Sequence, residues 1–172
     1  FARLDRSRIA TVNLNDGLNS TLLLAKHELK GHTIKKNFTD LPPVTCSPSQ
    51  INQVFLNLIN NAAQSIAAGP GIIMLTTRRE GPDHVAVEVA DNGKGISPEV
   101  LPKIFDPFFT TNPVGSGTGI GLSASRSLAE AVGGTLRVVT TAGEGATFRL
   151  SIPHTDRRFE VQPPVSEAGS CH

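Results

Sequence analysis

Apolar residues recur at helical spacing in three separate segments of the chain. The first segment predicts a helix that begins after Asn13, which stands in the N-cap position. The second predicts a helix over about residues 48–67, and the third a helix over about residues 120–132 that Gly133 and Gly134 end. The apolar stripes of the first two helices are Leu14, Leu18, Leu22 and Ala25, and Ile51, Val54, Phe55, Leu58, Ala62 and Ile66.

Shorter runs of alternating or β-branched residues predict strands between these helices. One covers residues 34–38, and two hairpins are predicted from residues 71–79 with 84–90 and from residues 135–141 with 146–152. Residues 91–119 predict a long loop region with a short helix near residues 98–104. Strands and helices mixed in this order favour an α/β two-layer sandwich, a mixed sheet with helices on one face.

Composition narrows the class of protein. The 172 residues include 38% hydrophobic and 18% charged residues with a net charge of +1, which is typical of a globular domain and leaves no basic surplus for nucleic acid or a membrane surface. Only two cysteines are present, Cys46 and Cys171, which excludes a disulfide framework and indicates a reducing, cytoplasmic compartment. We expect residues 1–12 to be the end of an upstream helix or a linker, residues 13–153 to be the domain, and residues 154–172 to be a disordered tail.

The second predicted helix carries amides where a solvated helix face normally carries charges. No charged residue occurs from residue 41 to residue 77. Ser47 and Gln50 form a capping box at its start, and Gln53, Asn57 and Asn61 follow at four-residue spacing. A carboxamide oxygen is a neutral, hard ligand for Mg²⁺, suited to a site where phosphates already supply negative charge. The alternative is an ordinary solvated polar face.

Two glycine-rich segments add candidate chemistry. Asp91 ends a predicted strand and is followed by Gly93 and Gly95. This pattern is typical of an ordinary turn. The alternative is a binding site in which the Asp91 carboxylate accepts a hydrogen bond from an exocyclic amine, and the glycines let the backbone approach a flat ligand closely. Residues 114–128 lead glycines into the third helix, where backbone N–H groups can hold phosphate. This segment lacks the Gly-Lys-Ser/Thr of a Walker A loop and the preceding strand of a dinucleotide fingerprint.

The order of these motifs resembles the catalytic ATP-binding domain of sensor histidine kinases, in the class shared with gyrase, mismatch-repair and heat-shock chaperone ATPases. QVFLNLINNAAQSI is similar to the N box, DNGKGI to the first glycine box, IFDPFFTT to the F box and GSGTGIGLS to the second glycine box. The motifs span residues 57–147, and the likeness covers about residues 1–153. It implies a Bergerat-type sandwich with three helices on one face of the sheet, with ATP and Mg²⁺ bound between the helices and a lid.

The resemblance also implies residue roles. Asn61 would ligate Mg²⁺, Asn57 would be the catalytic position on the phosphate side, and Asp91 would accept from the adenine amine with Thr147 hydrogen-bonding nearby. Because the hydrolysing relatives carry a glutamate general base where Asn57 stands, the resemblance favours a kinase over an ATPase. The other ATP-contacting positions would be Ser65, Gly93, Gly95, Ile96, Phe108, Thr110, Thr111, Gly117, Thr118, Gly119, Gly121 and Leu122, with Phe105, Phe108 and Phe109 anchoring the lid.

The implied function is donation of the γ-phosphate of ATP to a histidine on a dimerisation domain and, through it, to a response regulator. His27 lacks the sequence context of a phosphoacceptor and is interpreted as an ordinary exposed helix residue. The phosphoacceptor histidine is therefore expected outside this chain. A membrane anchor elsewhere in the full-length protein is compatible with this interpretation. Asn112 and Ser116 stand where the family usually has lysines. The alternatives are therefore a nucleotide-sensing module with impaired transfer, or a serine kinase or ATPase of the same class.

Overall fold

A computed structural model describes residues 8–66, 70–109, 121–141 and 143–154. Its central feature is a five-stranded mixed sheet in the order β2-β4-β5-β7-β6, in which β2 runs parallel to β4 and the other neighbours are antiparallel. The strands are β1 (Ala10–Val12), β2 (Thr33–Asn37), β3 (Val44–Cys46), β4 (Ile72–Glu80), β5 (His84–Asp91), β6 (Thr135–Thr141) and β7 (Gly145–Pro153). Helices α1 (Leu14–Leu24), α2 (Pro48–Ser65) and α3 (Gly121–Ala131) and a short 3₁₀ helix (Leu101–Lys103) complete the described elements.

The predicted two-layer sandwich is confirmed, with the core between the sheet and the helices. The apolar stripe of α2 is buried from Ile51 to Ala62, and Ile66 is half-buried. Alternate residues of β5 and β7 meet it from the sheet. Burying one such Phe or Leu side chain contributes about 1.5–3 kcal/mol, so this contact fixes α2 on the sheet. The buried strand residues are Val85, Val87, Val89, Phe148, Leu150 and Ile152.

The helix ends follow their sequence signals, with one exception. The side chain of Asn13 caps α1 by accepting from the backbone N–H of Asn15 at 2.8 Å. Gly133 has φ +81° and ends α3, with its N–H donating to the carbonyl of Glu130. Ser47 is the N-cap of α2 but its side chain makes no capping hydrogen bond, so the predicted capping box is wrong. Instead Ser47 Oγ lies 3.3 Å from Ser49 Oγ, and Pro48 occupies the first turn.

Both predicted domain boundaries need correction. The last three of residues 1–12 form β1, which pairs antiparallel with β3, because an extended segment there can satisfy its backbone groups on another strand. At the other end His154 is buried and its N–H donates to the carbonyl of Asp83 at 2.9 Å, so it belongs to the fold. Residues 1–7 and 155–172 of the predicted flanking segments lie outside the described residues.

Cys46 is a free cysteine within β3 and is buried. Burial raises the pKa of its thiol because the charged thiolate is desolvated there.

Among the helices described, none combines the length and the apolarity that a bilayer crossing requires.

Candidate functional site

Asp91 lies at the end of β5 with one carboxylate oxygen held and the other left over. Its Oδ1 accepts hydrogen bonds from Ser65 Oγ at 2.7 Å and from the backbone N–H of Gly93 at 2.8 Å. The residue is only 8% exposed, and its Oδ2 is buried without a hydrogen-bond partner among the described residues. A buried acceptor without a protein partner is uncommon and indicates a place for a donor from a ligand or water.

Glycines bring the main chain around Asp91 into very close contact. A Cβ on Gly93 would overlap Ser65, and a Cβ on Gly145, which has φ +96°, would overlap the carbonyl of Asp91. The backbone N–H of Lys94 donates to the carbonyl of Ser65 at 3.1 Å. This end of the site therefore depends on close packing of backbone on backbone, which only glycine permits.

The segment after Asp91 is tied to the hairpin between β6 and β7. The N–H of Ile96 donates to Thr140 Oγ1 at 2.9 Å, and this hydroxyl donates to the carbonyl of Gly145 at 3.0 Å. The N–H of Gly143 donates to the carbonyl of Lys94 at 2.6 Å, while Gly95 adopts φ +70°. No sequence motif marks Thr140, whose one signal is its position at the end of a β-strand that pairs with β7.

The predicted hydrogen bond of Thr147 beside Asp91 is wrong. Thr147 pairs with Ala90 across β5 and β7, and Asp91 pairs with Ala146. Because side chains alternate between the two faces of a sheet, Thr147 lies on the face opposite to Asp91. The buried residue beside Asp91 on the helix-covered face is Ala146.

Asn57 is held by a network that joins α2 to α3. Its Nδ2 donates to the carbonyl of Gly121 at 3.2 Å and to Ser125 Oγ at 3.1 Å, and its Oδ1 accepts from Gln53 Nε2 at 2.9 Å. Ser125 is fully buried and its Oγ also donates to the carbonyl of Gly121 at 2.7 Å. No predicted site included Ser125, whose signal in the sequence is a polar residue on the buried stripe of α3, one turn before Ala129.

One face of α2 connects these two clusters. Asn57, Asn61 and Ser65 follow one another at four-residue spacing, so they lie on the same side of the helix. Eight residues of α-helix span about 12 Å between the Asn57 network and the Ser65–Asp91 contact. The half-buried Asn61 lies midway between them.

The phenylalanines of the F box divide into packed and exposed residues. Phe105 packs edge-to-face on Phe148 with ring centroids 6.5 Å apart, and the guanidinium of Arg126 lies 5.0 Å from the Phe105 centroid. Phe109 is half-buried against the core. Phe108 has φ +68° and is 74% exposed. Its expected roles in anchoring the lid and in contacting ATP stay predictions, because residues 110–120 lie outside the described ranges.

The remaining candidate residues are placed in part. Leu122 follows Gly121 at the start of α3 and is half-buried against the core. His27 is exposed, as expected, but it lies in the turns after α1 instead of in a helix. The positions outside the described residues are Thr110, Thr111, Asn112, Ser116, Gly117, Thr118 and Gly119.

Comparison with known proteins identifies a family and a set of related structures. The model of the family described as histidine kinase-, DNA gyrase B-, and HSP90-like ATPase matches residues 46–156. The sensor histidine kinase ZraS of Escherichia coli (strain K12) is 37% identical over 157 residues, which cover 90% of this chain and 33% of that protein. The signal transduction histidine-protein kinase AtoS of the same strain is 36% identical over 156 residues, or 89% of this chain and 25% of AtoS. The chain thus spans about a third or less of these relatives.

The fold is also similar to solved histidine kinase structures. The catalytic domain of the histidine kinase ThkA has a TM-score of 0.74 at 28% identity, covering 87% of this chain and 99% of that one. Full-length ShkA, whose structure is a complex with AMPPNP, has a TM-score of 0.76 at 28% identity, covering 86% of this chain and 32% of that one.

Proposed function

This chain belongs to the histidine kinase-, DNA gyrase B- and HSP90-like ATPase family. From that premise we propose that it is the cytoplasmic, ATP-binding catalytic domain of a sensor histidine kinase. In this function it binds ATP with Mg²⁺ and donates the γ-phosphate to a histidine on a dimerisation domain, which passes it to a response regulator. The observation that carries the proposal is the buried, unpartnered Oδ2 of Asp91 in a cradle of glycine backbone.

The Asp91 carboxylate suits the exocyclic amine of adenine. Its Oδ1 is engaged by Ser65 and Gly93, so the side chain cannot rotate without losing two hydrogen bonds. Its Oδ2 would accept from the amine, whereas guanine carries a carbonyl oxygen at the equivalent ring position and would face the carboxylate with a second acceptor. Leaving a buried acceptor unpaired costs about 1–3 kcal/mol, which is enough to select the base.

The carboxamides of α2 suit the metal side of the site. Asn57 and Asn61 are neutral oxygen donors on one helix face, which fits a cation that already carries the phosphates of the nucleotide. When bound, Mg²⁺ supplies neutralisation of charge on the phosphates. The protein's own part is to hold the nucleotide at both ends so that the γ-phosphate is presented to the acceptor.

The side chain at position 57 favours transfer over hydrolysis. A carboxamide does not take a proton from water at neutral pH, so Asn57 cannot act as a general base. In the transfer step the acceptor histidine nitrogen forms the bond to phosphorus, the bond to the bridging oxygen breaks, and ADP leaves.

Asn112 and Ser116 favour a second candidate, a nucleotide-sensing module with impaired transfer, because neither supplies a positive charge to phosphate.

Phosphate transfer tests the proposal directly. The chain is incubated with Mg²⁺, ATP labelled at the γ-position and the helical dimerisation domain of its own full-length protein, and acid-labile, base-stable phosphate on that domain is measured. We expect Asn61→Ala to abolish Mg²⁺-dependent ATP binding and transfer, since it removes the proposed metal ligand while the buried stripe of α2 remains. The control His27→Ala should transfer like the parent. ATP binding without transfer would select the sensing module, and absence of ATP binding would contradict both.

A further inference from the structure

The carboxamide of Asn57 has a defined orientation. Its Nδ2 lies 3.2 Å from the carbonyl oxygen of Gly121, a group that can only accept a hydrogen bond. The NH₂ group must therefore face α3, and the oxygen must face away from it. The donor Nε2 of Gln53, at 2.9 Å from Oδ1, agrees with this assignment.

Ser125 supplies the second acceptor for this NH₂ group. Its Oγ donates its own hydrogen to the carbonyl of Gly121 at 2.7 Å, so its lone pairs remain for Asn57 Nδ2 at 3.1 Å. Both hydrogens of the Asn57 amide are thus engaged. The hydroxyl is fully buried on a helix face whose next turn contributes Ala129. The hydroxyl satisfies its own hydrogen on Gly121 and adds an acceptor for Asn57 that an alanine at this position would lack.

The consequence concerns what Asn57 can offer to a ligand. With its donors committed to α3, only the oxygen remains, on the polar stripe with Gln53 and Asn61. An oxygen with free lone-pair capacity attracts a cation or the hydrogens of metal-bound water, and it repels a phosphate oxygen. This orientation argues against the expectation, implied by the resemblance, that Asn57 supports the phosphate side.

We propose that Ser125 is a positioning residue that keeps the oxygen of Asn57 turned toward the metal side of the site, so that Asn57 serves Mg²⁺ or its bound water and not phosphate. This role rests on the proposed function, because it presumes that Mg²⁺ and ATP bind beside α2. Ser125 acts only through Asn57 and Gly121.

A calorimetric titration of ATP in the presence of Mg²⁺ and in the presence of EDTA tests this role. The quantity measured is the Mg²⁺ enhancement, the ratio of the two ATP affinities. Ser125→Ala should reduce the enhancement about threefold to tenfold, the equivalent of one neutral hydrogen bond, while ATP affinity in EDTA stays unchanged. Ser127→Ala, an exposed serine of the same helix, is the matched control and should keep the enhancement of the parent.

A double-mutant cycle separates positioning from packing. If Ser125 acts through Asn57, then Ser125→Ala should cause no further loss of enhancement in an Asn57→Ala background. Ser125→Cys, which replaces the hydroxyl with a slightly larger thiol that accepts hydrogen bonds only weakly, should resemble Ser125→Ala. In the nucleotide-free chain, the side-chain amide hydrogens of Asn57 should exchange with solvent faster in Ser125→Ala than in the parent, as read by nuclear magnetic resonance.

The outcomes distinguish the two proposals. A parent that binds Mg-ATP while Ser125→Ala keeps its full enhancement would overturn the role of Ser125 and leave the proposed function standing. An equal loss in the parent and Asn57→Ala backgrounds would overturn it as well, because it would show a packing effect independent of Asn57. A parent that binds no ATP would overturn the proposed function and this role together.

Discussion

The two ends of the polar face of α2 are built in different ways. At the Ser65 end the packing is so close that a Cβ at Gly93 would overlap Ser65 and a Cβ at Gly145 would overlap the carbonyl of Asp91. At the Asn57 end, two helices are joined by side-chain hydrogen bonds of 3.1–3.2 Å through Ser125 and Gly121. The energy of steric repulsion rises steeply when close-packed atoms are pushed together, whereas the energy of a hydrogen bond weakens gradually with displacement.

The difference suits the two parts of the proposed ligand. A flat base of fixed shape can be selected by a rigid cradle with one free acceptor, Asp91 Oδ2. A hydrated metal with phosphates needs neutral oxygens held in orientation, which Asn57 and Asn61 offer. We therefore expect large effects where a substitution disturbs the backbone contacts at the base end, and smaller, graded effects where it removes a residue, such as Ser125, that only orients an oxygen at the metal end.

Of three further substitutions, Gly145→Ala should have the largest effect. The added Cβ would overlap the Asp91 carbonyl, and overpacking of this kind costs about 1–3 kcal/mol beyond backbone strain. We expect loss of ATP affinity together with a lower free energy of unfolding, measured by urea denaturation. Gly143→Ala is the matched control, because Gly143 has φ +83° in the same hairpin and a Cβ there would meet nothing within 4 Å. Its free energy of unfolding should fall only by the cost of a left-handed alanine, about 1–2 kcal/mol, and ATP binding should be kept. Equal losses in both variants would contradict a steric cradle at Asp91.

Asp91→Asn tests the base end without changing its shape. The remaining oxygen can still accept from Ser65 and Gly93, which turns the new NH₂ group toward the adenine amine and leaves donors opposed. We expect ATP affinity to fall about fivefold to 150-fold, because an unpaired donor costs about 1–3 kcal/mol. Titration with ATP and with GTP measures this, with the exposed Asp40→Asn as control. Discrimination between the two nucleotides that matches the parent would argue against base recognition by Asp91.

The smallest expected effect comes from charge added on the phosphate side. Asn112 and Ser116 lie outside the described residues, so this prediction depends on the resemblance alone. The double change Asn112→Lys with Ser116→Lys should tighten ATP binding about fivefold to thirtyfold, since each exposed charge contributes no more than about 0.5–1 kcal/mol. The gain should shrink as salt rises and be smaller for ADP, which titrations at two salt concentrations would show. Equal ATP affinities of parent and variant at low salt would mean that these positions do not face phosphate.

The sequence by itself determined the three helices, the five strands of the central sheet, the fold class and the polar face of α2. Helical spacing from Ile51 to Ala62 and the alternation in β5 and β7 are local patterns, and a segment with such a pattern has one side that must be buried. The motif order predicted a nucleotide site at the carboxyl end of β5, where the structure shows Ser65 Oγ hydrogen-bonded to Asp91 Oδ1.

Only the tertiary structure decided which side chains meet across elements. Ala146 faces Asp91 and Thr147 does not because the register between β5 and β7 sets the face, and a shift of one residue exchanges the two. Ser125 meets Asn57 across 68 positions of sequence because α2 and α3 pack side by side, and β1 forms only because β3 offers it a partner. Such contacts depend on how distant segments are aligned in space, a relation that no local pattern of polar and apolar residues contains.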